Sequence, residues 1–316
     1  MPTRKGSIRL FRLFGITVYL HWAWFVVAYF AVQYRMNLYH TPIFGLLEYL
    51  ALFCFVLVHE FGHQLACRSV GGQTHDIVLW PLGGVAYVSP PQRPGATLWS
   101  ITAGPLVNVV LLPLLLALWL LSRSAGLDQS FPDLYQFVFT LFFINLVLLI
   151  FNMLPIFPLD GGQIMRALLW FVIGRANSLL AASIIGFFGV AFLFIYAGWN
   201  FIHAADTGER TYAMLFGVMC AFITLNCWVG LRQAQALIKI ANAPRRAGFA
   251  CPGCRTPPPM GRFWRCSQCR QLFDTFETMA ICPHCMTQYN VTACPECGVQ
   301  RPITEWVGAP ASPSQP

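Results

Sequence analysis

The chain has 316 residues, of which 57% are hydrophobic and only 10% are Asp, Glu, Lys or Arg, with a formal net charge of +8. Soluble domains carry about 25% charged residues, so the composition excludes an ordinary soluble protein and points to a polytopic membrane protein. The positive balance needs no nucleic acid, because basic residues flanking membrane spans face anionic lipid headgroups.

The hydropathy pattern predicts about six transmembrane helices, over Val18–Gln33, Ile43–Arg68, Leu98–Leu121, Leu134–Met153, Leu179–Phe201 and Tyr212–Leu231. The first run is the shortest and lacks a small-residue cleavage site, so it reads as a retained anchor. Trp22, Trp24, Tyr29, Tyr34, Tyr39, Trp199 and Tyr212 fall near the expected ends, where amphipathic rings sit at the headgroup level. Arg4, Lys5, Arg9 and Arg12 precede the first run. With six crossings Arg68, Arg93, Arg166, Arg175, Arg232, Lys239, Arg245 and Arg246 return to that side, against Arg35, Arg123 and Arg210 on the other. The positive-inside rule therefore expects both termini in the cytoplasm.

The second run carries His59-Glu60-Phe61-Gly62-His63, an HExxH motif inside an apolar stretch. One ionisable group near a membrane helix centre costs about 2.5–3.5 kcal/mol on insertion scales, so three together mark a functional site. Residues four apart share one helix face, which lets His59 and His63 direct imidazoles at one ion; neutral imidazoles suit zinc. Glu60, one position on, sits beside that ion as a general base that takes a proton from an attacking water. The bland reading is helix-to-helix hydrogen bonding by polar side chains. A third ligand must come from elsewhere, and no glutamate occurs between Glu60 and Glu209. Asp128 and Asp133 fall on the opposite side of the membrane, leaving Asp76 and Asp160. Asp160 is favoured, because it ends the fourth run after Asn152-Met-Leu-Pro155-Ile-Phe-Pro158-Leu, and Gly161-Gly162 follow. Prolines and glycines break a helix there, and irregular backbone at membrane depth is tolerated where it lines a cavity.

These residues, with Phe14-Gly15-Ile16 through His21-Trp22, Pro81-Leu82-Gly83-Gly84-Val85 and Gly104-Pro105-Leu106-Val107-Asn108, resemble in content and order the site-2 protease family of intramembrane zinc metalloproteases. The resemblance covers about residues 8 to 172 and is similar to the bacterial sporulation-protease-like branch. It implies a three-helix core formed by the second to fourth runs. It also implies His59, His63 and Asp160 as zinc ligands, Glu60 as general base, and Asn152 as a residue that orients substrate or stabilises the developing oxyanion. For Asn152 an interhelical hydrogen bond is an equal alternative, a job for which Asn108 and Asn145 are also available. Leu79 to Val88 would form a membrane-associated hairpin or loop offering an edge to an extended substrate. His21 is held out of the site as a packing residue.

After Ala243 the composition turns rich in Cys, Pro and Arg. Cys251-x-x-Cys254, Cys266-x-x-Cys269, Cys282-x-x-Cys285 and Cys294-x-x-Cys297 imply two structural zinc sites, because each pair aims two thiolates at one ion. The expected pairing is first with second and third with fourth, with an interleaved arrangement also open. A reducing cytosol argues against disulfides. His284 is a spectator, and Phe263 and Trp264 cap the small core. Arginines interspersed with acids argue against nucleic acid as a partner; the ribbons are expected to contact protein. Family relatives often carry a nucleotide-sensing CBS pair at this end, which is replaced here.

The expected organisation is residues 1–243 as a membrane metalloprotease domain, 244–307 as a double zinc ribbon and 308–316 as a disordered tail. The expected function is hydrolysis of peptide bonds in or near transmembrane segments of protein substrates, with one catalytic zinc, in a lipid environment that the resemblance places in a bacterial cell membrane. The competing class is a non-proteolytic zinc-handling or scaffold protein that keeps the ligands without turnover.

Overall fold

The computed structural model describes residues 6–36, 39–80 and 83–307; Arg4, Lys5, Pro81, Leu82 and the tail from Gly308 lie outside them. The order is β1 (Ser7–Leu13), β2 (Ile16–His21), α1 (Ala23–Met36), α2 (Ile43–Ser69), β3 (Gln73–Trp80), β4 (Gly83–Ser89), α3 (Pro94–Ser124), the single turn α4 (Leu127–Ser130), α5 (Pro132–Asn152), α6 (Asp160–His203) and α7 (Thr207–Ala241). Short strands β5 (Trp264–Arg265), β6 (Leu272–Phe273), β7 (Thr292–Ala293) and β8 (Gln300–Arg301) follow. The chain divides into two compact units, Met1–Ile173 with Ala181–Gly230, and Gly174–Leu180 with Leu231–Pro316.

Among the described residues five helices, α2, α3, α5, α6 and α7, are long and apolar enough to cross a membrane. The expected first span, Val18–Gln33, is corrected: its beginning belongs to β2 and its remainder to α1, a helix of 14 residues. At 1.5 Å per residue α1 is about 21 Å long, short of the roughly 30 Å hydrocarbon core. The reason is a change of period within one apolar run. Ile16, Val18 and Leu20 alternate with Thr17 and Tyr19, which is the periodicity of a half-buried strand. Ile16, Val18 and Leu20 pack with Ile77, Leu79, Trp24, Val56 and Phe61 to form the core under the sheet. Near the end of α1, Arg35 Nε meets Glu48 Oε2 of α2 at 2.5 Å, and Arg35 Nη2 lies 3.5 Å from Thr140 Oγ1 of α5.

The strands form one sheet in the order β1-β2-β3-β4, with β2 and β3 parallel and the outer pairs antiparallel. The expected hairpin around Leu79 to Val88 is therefore the outer half of a larger sheet, with Leu79 opposite Gly84 and Trp80 opposite Gly83. Parallel pairing of Thr17 with Asp76 through Leu20 with Leu79 brings the N-terminal strands beside the segment that follows α2. Gly71, at φ +80°, ends α2 by adopting the left-handed conformation, and its N–H returns to Arg68 O at 3.0 Å.

Between α5 and α6 the chain is irregular and contains a cis Phe157–Pro158 bond. It folds back on the first turn of α6. A Cβ at Gly161 would lie 2.3 Å from Met153 O, and one at Gly162 would lie 2.4 Å from Phe157 N, so only glycine admits this return. Gly174, at φ 78° and ψ 170°, occupies backbone space open essentially to glycine alone and breaks the 44-residue α6 into two rods. The expected fifth span, Leu179–Phe201, lies within the second rod.

The second unit contains four turns of one design. In each, the first cysteine's N–H donates to a carbonyl five residues on, and the residue four on donates back to that cysteine's carbonyl, as in Cys251 to Thr256 (3.0 Å) and Arg255 to Cys251 (2.8 Å). Arg255, Arg270, Met286 and Gly298 accordingly share left-handed φ values between 58° and 75°. The turns pair in a nested manner: Cys251, Cys254, Cys294 and Cys297 form an outer tetrad, and Cys266, Cys269, Cys282 and Cys285 an inner one. Neither the first-with-second pairing nor an interleaved one is formed, and both are corrected: the first motif meets the fourth and the second meets the third. Sulfur separations of 3.6 and 3.8 Å in the outer tetrad and 3.4 and 3.7 Å in the inner one match the about 3.8 Å edge of a tetrahedron with Zn–S near 2.3 Å. None of the twelve cysteines is in a disulfide. The Tyr289 hydroxyl donates to Cys266 Sγ at 3.1 Å and draws that thiol down to about 5, favouring the thiolate that binds metal. Trp306 is wholly buried against Phe276, which also meets Phe249 and Trp264, while the Trp264 indole donates to Ala293 O.

Nesting makes a sharp prediction for zinc content. Cys251→Ser combined with Cys294→Ser removes no more zinc than either substitution alone, whereas Cys251→Ser combined with Cys266→Ser removes twice as much. Metal analysis of the purified full chain giving the reverse result would restore the sequential pairing.

Candidate metal centre

The membrane unit concentrates its buried polar groups where α2, α3 and the start of α6 meet. His59 and His63, one helical turn apart on α2, are both buried, and their rings stand at 83° with centroids 4.8 Å apart. Their Nε2 atoms are 3.1 Å apart. Asp160, the first residue of α6, brings Oδ2 to 3.0 Å from His59 Nε2 and 3.4 Å from His63 Nε2. That helix terminus favours a carboxylate through its unpaired N–H groups. The expected trio thus forms a single cluster of ligand atoms.

The protons on the two rings decide what the cluster can hold. His63 Nδ1 lies 2.9 Å from the Ser100 carbonyl oxygen, which only accepts, so Nδ1 carries the proton and a neutral ring presents a lone pair at Nε2. His59 Nδ1 lies 2.7 Å from Asn108 Oδ1 and is placed in the same tautomer. Two imidazole lone pairs and a carboxylate oxygen then face one another, an arrangement that calls for a cation. Space is kept for it by Gly104, where a Cβ would fall 2.3 Å from His63 Nε2 and 2.8 Å from His59 Nε2. Two nitrogens and one carboxylate oxygen are the donor set of a catalytic zinc site, which leaves a fourth position open. The residues fit the metal.

Glu60 follows His59 on α2 and is buried at 6% exposure. Asn152 closes α5 and is half-buried; it is not one of the groups that hydrogen-bond the two histidines. Asp76 is buried in β3, where its carbonyl accepts from Gln64 Nε2 at 3.1 Å, and it is not a member of the ligand cluster. His21 accepts the Ala23 N–H at 3.2 Å and stacks on Trp80 at 3.9 Å, a packing and capping role. Ser100, Gly104 and Asn108, absent from the expected ligand set, surround it. Their spacing of four along α3 is the signal that marks one helix face.

The model of Peptidase family M50 matches residues 48–133 and 122–196. A zinc metalloprotease of Methanocaldococcus jannaschii is 34% identical over 180 residues, 57% of this chain and 50% of that protein. Stage IV sporulation protein FB of Bacillus subtilis is 34% identical over 118 residues, 37% of this chain and 38% of that protein. Among solved structures, the site-2 protease from Methanocaldococcus jannaschii is similar with a TM-score of 0.49 and 26% identity, covering 72% of this chain and 95% of that one. The chain spans about half the length of the first curated relatives it matches. The histidine pair and Asp160, joined in one buried site, all lie within the residues that match Peptidase family M50.

Proposed function

We propose that the membrane unit is a zinc endopeptidase that hydrolyses peptide bonds in or near transmembrane segments of membrane proteins. The observation that carries this reading is the convergence of His59 Nε2, His63 Nε2 and Asp160 Oδ2, with the buried Glu60 next to His59 on the same helix. Zinc held by the trio supplies Lewis acidity toward a carbonyl oxygen and a water. Glu60 takes the proton from the attacking water and returns it to the departing amide nitrogen, so the acid and amine products balance the water consumed. Asn152 is assigned to orienting the substrate backbone. β4 is an edge strand, and an extended substrate segment added along it would have its peptide groups satisfied by strand pairing. That pairing offsets the cost of unwinding a helix in lipid.

Charge asymmetry, with β1 and β2 in the same sheet as β3 and β4, supports an arrangement with the sheet and the metal site on the cytoplasmic side of a bacterial membrane. Water reaches Glu60 from there. The two cysteine tetrads are assigned structural zinc, and the surface of the ribbons is assigned to protein contact.

Reconstituted full-length protein tests the roles. Glu60→Gln keeps its zinc and lowers cleavage of a single-span substrate by about 10² to 10⁴-fold. Cleavage equal to wild type would exclude the mechanism and leave a zinc-handling role. Asp160→Asn loses the membrane-site zinc together with cleavage, and Asp76→Asn retains both; the opposite pattern would transfer the third ligand to Asp76. Gly104→Ala also loses that zinc, because its Cβ would enter the space between the imidazoles.

A further inference from the structure

Asn108 and Asn145 are both wholly buried, on α3 and α5, and neither is a ligand. Their amides form a closed circuit. Asn145 Nδ2 donates to the Asn108 main-chain oxygen at 3.0 Å, and Asn108 Nδ2 donates to Asn145 Oδ1 at 2.8 Å. A main-chain oxygen only accepts, so the Asn145 NH₂ must face it and Asn145 Oδ1 must face Asn108. Asn108 then has to turn its own NH₂ toward Asn145 and its Oδ1 toward His59 Nδ1. The opposite orientation of Asn108 would set two carbonyl oxygens against each other and aim NH₂ at His59. Direction is thereby passed from a helix backbone, through two side chains, to one imidazole.

We infer that Asn145 is a positioning residue for the metal site, fixing the orientation of Asn108 and through it the His59 tautomer whose Nε2 lone pair faces Asp160. The inference rests on the metal site proposed above and is independent of proteolysis. Partners of this kind behind a ligand histidine typically contribute about 10–100-fold to metal affinity.

A packing role for Asn145 would affect every background alike, whereas a directional role disappears when Asn108 no longer needs directing. Asn108→Asp supplies that background, because a carboxylate accepts from His59 with either oxygen. The experiment measures zinc retention by the full-length protein against a competing chelator, with thiol exposure followed in parallel. Zinc leaving a cysteine tetrad exposes thiols, and zinc leaving the histidine site does not. In the native background Asn145→Ala weakens the thiol-silent zinc about 10–100-fold; in the Asn108→Asp background the same substitution leaves it nearly unchanged. Equal loss in both backgrounds, whether of zinc or of folding, assigns Asn145 to packing and overturns the inference. Loss of zinc by Asn108→Asp alone also overturns it. A wild-type protein with no thiol-silent zinc would instead remove the metal reading, a result distinct from both.

Discussion

Two imidazole lone pairs and a carboxylate oxygen aimed at one another are mutually repulsive unless a cation lies among them, and in a membrane interior little solvent is present to screen them. The rest of the membrane unit serves this constraint. α2 contributes both imidazoles from a single face, α3 comes close through Gly104 and supplies acceptors for the outward ring nitrogens, and α6 begins at the carboxylate. Each histidine is held from behind by an oxygen. The rings are set for metal by hydrogen bonds that themselves hold no charge.

The irregular segment before Asp160 meets the same demand differently. Exposed peptide groups in lipid are costly, so a loop at that depth must be enclosed by protein. Cys227 Sγ lies 2.7 Å from Phe157 O, and Gly186 and Gly230 leave room on α6 and α7 for the Phe157 backbone and ring. Ile156 packs among Val190, Cys220 and Ile223. The last two helices thus form the wall that keeps the ligand loop in place.

How much of this was legible depends on range along the chain. His59 and His63 are related by a local helical repeat, and Asp160 is marked by the breakers around it, so both can be read from nearby residues. The sheet could not be read as readily. Ile16 to His21 is strand and Ala23 onward is helix, yet both are apolar, and one continuous hydrophobic run conceals the change of period. Asn108 and Asn145 are visible as polar residues in apolar helices, but their mutual orientation is a property of two helices in contact. The tetrads fail to announce their partners for a similar reason. Four equivalent turns carry the same local geometry, and which turn meets which is decided by the intervening chain.

That nesting also shapes how the ribbon is put together. Cys269 and Cys282 are separated by 13 residues, whereas Cys254 and Cys294 are separated by 40. Closing the shorter loop costs less chain entropy, and once it is closed the longer one has far fewer free residues to bring together. With a metal ion in each tetrad, assembly would favour an inside-out order, the inner ion acting as a clasp that shortens the effective tether between the outer turns. Loss of an outer ion would then leave a clasped hairpin ready to close again, whereas loss of an inner one would return the full length of the loop to the chain.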